Sequence, residues 1–313
     1  MLSIVLFILG FIALWKGGEY IVEGASAIAR RFAIPEIIIG LTLVSIGTSL
    51  PELFVNVFAS LKQESTIVFG NIIGSNISNT LLILGLTGMI FPFKIVKLNI
   101  KKEIYLYSLI VLITACLLYI GRTETSFQLG ILAGIILLST CVIAIYLFYQ
   151  QSSNEHDDAE NQPTSLTRPL LYFLAGCILL PLGGQWVVKS AIAIATVFGI
   201  SKHLISLFAI AIGTSLPELV TSIIAAKKQN SSLALGNILG SNIFNLSLIL
   251  GISSLISPVI VASSSTIDFA VLLYSAFLLL SLPFAIKKPF LNKLIYVILF
   301  MSYVLYILFL FIR

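Results

Sequence analysis

The hexapeptide GTSLPE runs from Gly47 to Glu52 and is repeated letter for letter from Gly213 to Glu218. Both copies lie deep within apolar sequence, where a carboxylate, two hydroxyls and a proline are unexpected. A charge at the centre of a membrane span costs about 2.5–3.5 kcal/mol even on the mildest scale, so an ionisable residue there indicates a functional site. Two such residues in equivalent places, Glu52 and Glu218, require one shared explanation.

The composition is that of a polytopic membrane protein. Of the 313 residues, 58% are hydrophobic and only 10% are charged, and the mean hydropathy is +1.09. A soluble domain is typically about 25% charged. The net charge of +5 does not indicate a nucleic-acid partner, because the basic residues lie at the ends of apolar segments, where they orient a protein in the bilayer. Cys116, Cys141 and Cys177 lie in apolar runs and are predicted to pack as small apolar residues.

Ten segments are long and apolar enough to span a membrane, which needs about 20 residues. They lie near residues 3–28, 36–61, 66–90, 104–120, 127–149, 168–195, 204–226, 231–256, 267–286 and 291–311. A polar, acidic stretch from Gln150 to Thr167 separates the fifth segment from the sixth. We therefore predict an all-α polytopic membrane protein, with one five-helix repeat at 1–149, a cytoplasmic linker at 150–167 and a second five-helix repeat at 168–313.

The two halves are internal repeats. An offset of 166 residues superimposes the hexapeptides and also a second motif, which reads GNIIGSNISN from Gly70 and GNILGSNIFN from Gly236. From Phe69 to Gly85, 12 of 17 positions are identical to the second half. Because five spans is an odd number, the second repeat is predicted to enter the membrane inverted. Inverted repeats are a transporter architecture, with the substrate site near the midplane between the repeats.

Basic residues predict the orientation of the chain. With the N-terminus outside, twelve Lys and Arg residues lie in the inner loops, and only four lie in the outer loops and at the C-terminus. Positive charge favours the cytoplasmic side of a membrane. Both termini are therefore predicted to lie outside an inner (cytoplasmic) membrane, with the acidic linker inside.

The repeated motifs concentrate hard oxygen donors. Pro51 lacks an N–H and clashes with the carbonyl four residues earlier, which frees backbone carbonyls that are tolerated at this depth only beside protein or a water-filled cavity. Hydroxyl and carboxylate positions three or four residues apart can share one helix face. The two copies together supply two carboxylates, six hydroxyls and two amides: Glu52, Glu218, Thr48, Ser49, Ser75, Thr214, Ser215, Ser241, Asn79 and Asn245. Oxygen-rich sites without Cys or His suit Ca²⁺ or Na⁺, and do not suit zinc or copper.

Two further features concern how the spans pack and which charges they carry. Glycines four residues apart in each second motif have the small-xxx-small spacing that lets membrane helices approach closely. Lys16, Glu19 and Glu23 lie on one side of the first span, where they form either an intrahelical ion pair or the lining of an access path. Lys189 in the sixth span has no equivalent carboxylates near it in sequence.

The two motifs resemble the signature α-repeats of the sodium/calcium exchanger family, within the cation/Ca²⁺ antiporter superfamily, in its prokaryotic form. The resemblance covers roughly residues 36–90 and 202–256. It implies that the two glutamates are central carboxylates shared by Ca²⁺ and Na⁺, flanked by the six hydroxyls, with Asn79 and Asn245 completing the middle. It also implies ligation by the backbone carbonyls of Ser45 and Ala211, and a long first and sixth span that slide across the core.

Asn245 is a departure from part of that family. The potassium-dependent branch has Asp at this position, so Asn245 argues against K⁺ dependence and leaves two formal negative charges at the centre. The H⁺-coupled branch has a Glu-His pair in its second motif. Here Ser75-Asn76 and Ser241-Asn242 stand instead, which favours Na⁺ coupling.

The sequence thus predicts a secondary antiporter, not an enzyme, that exchanges Na⁺ for Ca²⁺ by alternating access at a shared midplane site. The ions are substrates, no cofactor is predicted, and the lipid bilayer is the one partner that the composition identifies. The alternatives are an H⁺- or other cation-coupled Ca²⁺ antiporter and a non-transporting cation-binding membrane protein. An intramembrane protease is disfavoured because the chain has no G-x-S-x-G motif.

Overall fold

The structure is a computed structural model that describes residues 2–93, 100–123, 126–154, 165–197, 213–262, 265–285 and 289–312. These residues form helices and two short strands. The elements are α1 (Leu2–Arg31), α2 (Glu36–Thr48), α3 (Leu50–Leu61), α4 (Ser65–Ile90), α5 (Lys101–Ile120), β1 (Ser126–Leu129), α6 (Ile131–Asn154), α7 (Thr167–Val197), α8 (Leu216–Lys227), α9 (Ser231–Ile256), β2 (Val259–Ala262), α10 (Thr266–Ala285) and α11 (Pro289–Ile312). Helices α2, α4 and α9 each contain a π-helical stretch, at Gly40–Val44, Ser78–Ile83 and Asn245–Ile249.

Most of the predicted spans coincide with helices that can cross a membrane. Within the described part of the chain, eight helices are long and apolar enough to do so, and α2 with α3 forms a ninth candidate that is bent by 49°. The predicted span at 204–226 is described only from residue 213 onward, where it contains α8. The count of ten therefore stays a prediction for that one segment.

The outer surface of the helices is apolar and the polar residues of the motifs are inside. Ile4 and Ile8 on α1 are 55% and 54% exposed, and Leu305 on α11 is 62% exposed, whereas both motif glutamates are buried. Soluble monomers rarely expose large continuous apolar patches. This distribution, together with the candidate spans, is that of an integral membrane protein.

A two-stranded antiparallel sheet interrupts the helical architecture. Strand β1 pairs with β2, with Ser126 opposite Ala262 and Leu129 opposite Val259. The fifth predicted span began at residue 127, which is one residue into the strand; helix α6 begins only at Ile131. Burial along β2 alternates with the two-residue period of a strand, because successive side chains point to opposite faces. The sheet ties a loop of the first half to a loop of the second.

Helices α1 and α7 are in backbone contact through glycines. A Cβ built on Gly10 would lie 2.9 Å from the Gly183 carbonyl oxygen, and one on Gly176 would lie 2.7 Å from the Gly17 carbonyl oxygen. Further along α1, Gly24 meets the first turns of α7. Residue numbers therefore rise along one helix as they fall along the other, so the two helices run antiparallel. Small residues permit such close approach in membrane helices.

The second-motif glycines of α9 pack against α2. A Cβ on Gly236 would lie 2.5 Å from the Ile37 carbonyl oxygen, and one on Gly240 would lie 2.5 Å from the Leu41 carbonyl oxygen. The close helix approach that their spacing predicted is confirmed here. For the equivalent glycines of the first half, no atom of a described residue lies within 4 Å of the added Cβ.

Candidate cation site

The first hexapeptide forms a break between two helices. Helix α2 ends at Thr48, Ser49 adopts φ −87° and ψ 7°, and α3 begins at Leu50 with Pro51 in its first turn. Proline is favourable at this position because an N–H there would have no helical acceptor. The same turn contains Glu52, whose carboxylate thus lies at the positive end of the helix dipole.

The second hexapeptide has the same local structure over the residues described. Ser215 adopts φ −85° and ψ 1°, and α8 begins at Leu216 with Pro217 in its first turn. Glu218 again occupies that first turn. In both copies the proline therefore stands at a helix start, and the glutamate follows it by one residue.

Both glutamates are inside the protein, and a hydroxyl of one copy reaches the carboxylate of the other. Glu52 and Glu218 are each 1% exposed. The Ser49 hydroxyl donates a hydrogen bond to Glu218 Oε1 at 3.0 Å. The Oε2 atoms of both glutamates have no hydrogen-bond partner among the residues described. Buried charges need pairing or metal coordination, so these oxygens are available as ligands for a cation.

Two further hydrogen bonds connect the halves symmetrically. The Thr48 hydroxyl donates to Asn237 Oδ1 at 3.1 Å, and the Thr214 hydroxyl donates to Asn71 Oδ1 at 3.0 Å. The offset of 166 residues converts the first of these bonds into the second. Each hexapeptide threonine is therefore oriented by an amide from the second motif of the other half.

Asn71 and Asn237 were absent from the predicted site. The signal that points to them is their place in the repeated GN dipeptide, four residues before Ser75 and Ser241 and therefore on the same helix face. Asn237 also donates from Nδ2 to the Ser222 hydroxyl at 3.1 Å. The two asparagines thus join the threonines to the rest of the buried polar network.

The remaining predicted hydroxyls are buried or half-buried beside this network. The Ser75 hydroxyl oxygen lies 3.3 Å from that of Thr214. The hydroxyls of Ser215 and Ser241 have no hydrogen-bond partner among the described residues. These oxygens are available to a ligand. The two threonine hydroxyls donate their protons to the cross-links, which leaves their oxygens with lone pairs for a cation.

The two backbone carbonyls implied as ligands differ in what can be said of them. The Ser45 carbonyl oxygen accepts the Ser49 N–H at 3.0 Å and the Thr48 hydroxyl at 3.3 Å. A carbonyl oxygen has two lone pairs, so a cation bound there would replace the longer of these bonds. Ala211 lies outside the described residues.

The two central asparagines begin or lie within π-helical stretches. Asn79 Oδ1 and both polar side-chain atoms of Asn245 are buried without a hydrogen-bond partner in the described part of the chain. The stretch that contains Asn79 packs against α8, and the stretch that begins at Asn245 packs against α3. Each stretch thereby contacts the helix that carries the other half's glutamate. π-helical turns often occur at functional sites.

The chemistry of this cluster is that of a hard-cation site. Among the residues described, no group of three or more His, Cys, Asp or Glu could hold a metal ion. The two carboxylates must therefore be supplemented by hydroxyl, amide and carbonyl oxygens. Such donors suit Ca²⁺, which takes 6–8 oxygens, or Na⁺. Two carboxylates balance one divalent cation or two monovalent ones.

The charges on α1 lie away from this cluster. Lys16 Nζ pairs with Glu19 Oε2 at 2.8 Å, which confirms that part of the predicted intrahelical ion pair. Glu23 instead pairs with Lys228 at 2.7 Å and joins α1 to the C-terminal end of α8.

A cavity of about 200 Å³ lies between α7 and the hexapeptides. Its lining includes Lys189 on α7, Pro51, Pro217 and the cross-linked Thr214. The cavity thus places the one basic residue in the middle of α7 beside the polar cluster.

Comparison with known proteins identifies relatives over nearly the whole chain. A profile of the family described as "Sodium/calcium exchanger protein" matches residues 2–150 and 168–312. The inner membrane protein YrbG of Escherichia coli is 38% identical over 273 residues, covering 82% of this chain and 81% of its own. The sodium/calcium exchanger MaX1 of Methanosarcina acetivorans is 31% identical over 303 residues, covering 84% and 85%. The putative antiporter CaxA of Alkalimonas amylolytica is 36% identical and covers 92% of each chain.

A solved structure shares the fold over nearly the whole length. The sodium-calcium exchanger NCX_Mj, soaked with 10 mM Na⁺ and zero Ca²⁺, superimposes with a TM-score of 0.80 at 32% identity, and the match covers 95% of this chain and 97% of that one. The profile match extends over both halves, and the three relatives named here are each more than 30% identical and cover more than two thirds of each chain. On these grounds the chain belongs to the sodium/calcium exchanger family, which consists of transporters and not of enzymes.

Proposed function

We propose that this protein is a secondary antiporter that exchanges Na⁺ for Ca²⁺ across the cytoplasmic membrane. The observation that carries the proposal is the pair of buried glutamates, one from each half, with the Ser49 hydroxyl of the first half bonded to Glu218 of the second. Neither carboxylate forms an ion pair with a basic residue among those described, so cations from solution are the natural counter-charges. The names of MaX1 and NCX_Mj, both sodium/calcium exchangers, support the same pair of ions.

The proposed site is shared by both ions. Its ligands are the two glutamates, the flanking hydroxyls, the two central amides and two backbone carbonyls: Glu52, Glu218, Thr48, Ser49, Ser75, Thr214, Ser215, Ser241, Asn79, Asn245, Ser45 and Ala211. Because the same carboxylates neutralise either ion, full occupancy by Na⁺ excludes Ca²⁺ and the reverse. Loading one ion at one face of the membrane then displaces the other.

The proposed mechanism uses two inverted five-helix repeats. The antiparallel contact of α1 with α7 and the symmetrical threonine–asparagine bonds support this architecture, since each relates one half to the other by the same offset. We place both termini outside the cell and the linker inside, as the distribution of basic residues favours. Movement of α1 and α7 across the core would expose the site to each side in turn.

The test is flux in proteoliposomes under three separate gradients. An outward Na⁺ gradient is expected to drive ⁴⁵Ca²⁺ uptake, whereas K⁺ or H⁺ gradients of equal size are not. The Glu52→Gln/Glu218→Gln double variant, reconstituted to the same density, is the control for leakage. Uptake driven by a pH gradient without Na⁺ would establish the H⁺-coupled alternative, and Ca²⁺ binding without any flux would establish a non-transporting protein.

A further inference from the structure

A second cavity, separate from the cation site, lies where α1 ends and α7 begins. It has a volume of about 460 Å³. Its lining includes three arginines: Arg30 and Arg31 from the last turn of α1, and Arg168 from the first turn of α7. Glu23 is the one acidic residue of the lining, and Lys228 already binds its carboxylate at 2.7 Å. The cavity therefore has a positive charge that its own lining does not balance.

Two of the three arginines have no partner among the described residues. Within the described part of the chain, the guanidinium groups of Arg30 and Arg31 form no hydrogen bond or ion pair. Arg168 donates from Nη2 to the Tyr172 hydroxyl at 2.9 Å, and its guanidinium carbon lies 5.2 Å from the centre of that ring. Tyr172 in turn stacks on Tyr20 of α1 at 4.9 Å. One arginine is thus held in place on aromatic rings while the other two are unengaged.

The surroundings of the cavity are those of a membrane edge. The candidate spans Ser3–Arg31 and Thr167–Ile194 end and begin at its walls. Beside the arginines, Phe32 is 56% exposed and Leu171 is 60% exposed. Basic residues at the end of a span with exposed apolar side chains next to them match a molecule that has an anionic head and apolar chains.

We propose that this cavity binds the phosphate headgroup of an anionic phospholipid, with the acyl chains lying along the exposed apolar side chains of α1 and α7. Arginine forms bidentate, charge-assisted hydrogen bonds with phosphate. Basic pockets between membrane helices are a recognised kind of headgroup site. A bound phosphate would contact the end of one half's first helix and the start of the other's, and so hold the α1–α7 pair together at this membrane edge.

The experiment measures thermal unfolding of the full-length protein in detergent, with phosphatidylglycerol or phosphatidylcholine added at equal concentration. Phosphatidylglycerol is expected to raise the unfolding midpoint more than phosphatidylcholine does. The Arg30→Gln/Arg31→Gln and Arg168→Gln variants are expected to lose most of that difference. The matched control is Lys101→Gln/Lys102→Gln, which removes an adjacent basic pair at the start of α5 and should keep it.

Further measurements distinguish binding of the lipid from binding of a free phosphate and from a general effect of charge. Glycerol 3-phosphate at the same concentration should give no rise, and Arg30→Lys/Arg31→Lys should give a partial one, because lysine keeps the charge without the bidentate geometry. Native mass spectrometry should show one retained phosphatidylglycerol that the Arg→Gln variants lose, even where their midpoints shift for other reasons. The proposal would be overturned if Lys101→Gln/Lys102→Gln lost the phosphatidylglycerol effect as fully as the Arg→Gln variants do. It would also be overturned if glycerol 3-phosphate raised the unfolding midpoint as much as phosphatidylglycerol does.

Discussion

The two hexapeptides and the two long helices that begin each half are both related by the same offset of 166 residues, but they have diverged to different degrees. The hexapeptides are identical. Helices α1 and α7 keep equivalent glycines, at 10 and 17 in one and at 176 and 183 in the other. Their charges differ, since Lys16, Glu19 and Glu23 of α1 correspond to Leu182, Gln185 and Lys189 of α7.

This difference separates two physical requirements. At the glycine pairs 10/176 and 17/183 the backbone of one helix meets the other helix, so packing alone explains them. The charges that differ lie on ion pairs at the surface or beside a cavity, where each half has its own neighbours. The hexapeptides share both packing and chemistry because each supplies half of one site.

Glu52→Gln and Glu218→Gln should each reduce Na⁺-driven ⁴⁵Ca²⁺ uptake by about 100-fold or more. Each removes one of two buried charges that balance the cation, and an unpaired buried ion costs several kcal/mol. Glu64→Gln, at an exposed carboxylate, is the matched control and should transport normally. Substantial uptake by one of the two variants would show that the halves do not share a single site.

Gly183→Ala should destabilise the protein by about 1–3 kcal/mol, the usual cost of overpacking. The added Cβ would lie 2.8 Å from the Gly10 carbonyl oxygen, so α1 and α7 would have to separate. Gly184→Ala is the control, because the nearest atom to its added Cβ is 3.8 Å away. Thermal unfolding of both variants is the measurement; equal midpoints would mean that the helix contact is looser than described.

Asn237→Ala should cost about 1–3 kcal/mol of stability, and more than Asn71→Ala. Asn237 accepts from Thr48 and donates to Ser222, so its loss removes one bond from each of two buried hydroxyls. The Asn71 amide nitrogen has no partner among the described residues, and its loss releases one hydroxyl only. Unfolding midpoints of the two variants, compared at equal ion concentrations, test the order. The reverse order would place the stronger cross-link in the other half.

Lys189→Gln should lower the Ca²⁺ concentration for half-maximal uptake by roughly two- to threefold. It should lower the Na⁺ concentration for half-maximal exchange by a smaller factor. A positive charge at the rim of a cavity beside the hexapeptides repels a divalent cation more than a monovalent one. Gln185→Ala, one turn away on the same wall, removes no charge and is the control. Identical half-maximal concentrations in wild type and variant would exclude this cavity from the ion pathway.

Much of the site follows from local sequence. The hexapeptide predicts a proline-interrupted helix and a buried glutamate, and both occur. The helix break is local because proline lacks an N–H, and the burial is expected because the sequence on both sides is apolar. The start of the fifth span was misplaced because hydropathy does not separate an apolar strand from an apolar helix over four residues. The sheet register depends on β2, which lies more than a hundred residues away.

The asparagines that hold the threonines were missed for a related reason. Their bonds join residues 189 and 143 positions apart, and nothing in the local pattern specifies which hydroxyl an amide will meet. The arginine cavity is similar, since its members come from the ends of two helices in different halves. Each is a property of helix packing and not of any one helix.

Three properties can be read from the sequence alone: the chain spans a membrane, it is built from two repeats, and its repeated motifs offer hard oxygen donors. These conclusions depend on hydropathy, residue type and spacing, which are local quantities. Only the folded chain shows that Ser49 contacts Glu218, that each threonine is held by the opposite half, and that α1 contacts α7 through glycines. Those pairings join residues that are far apart in sequence, so they depend on how all of the helices pack together and not on any one helix.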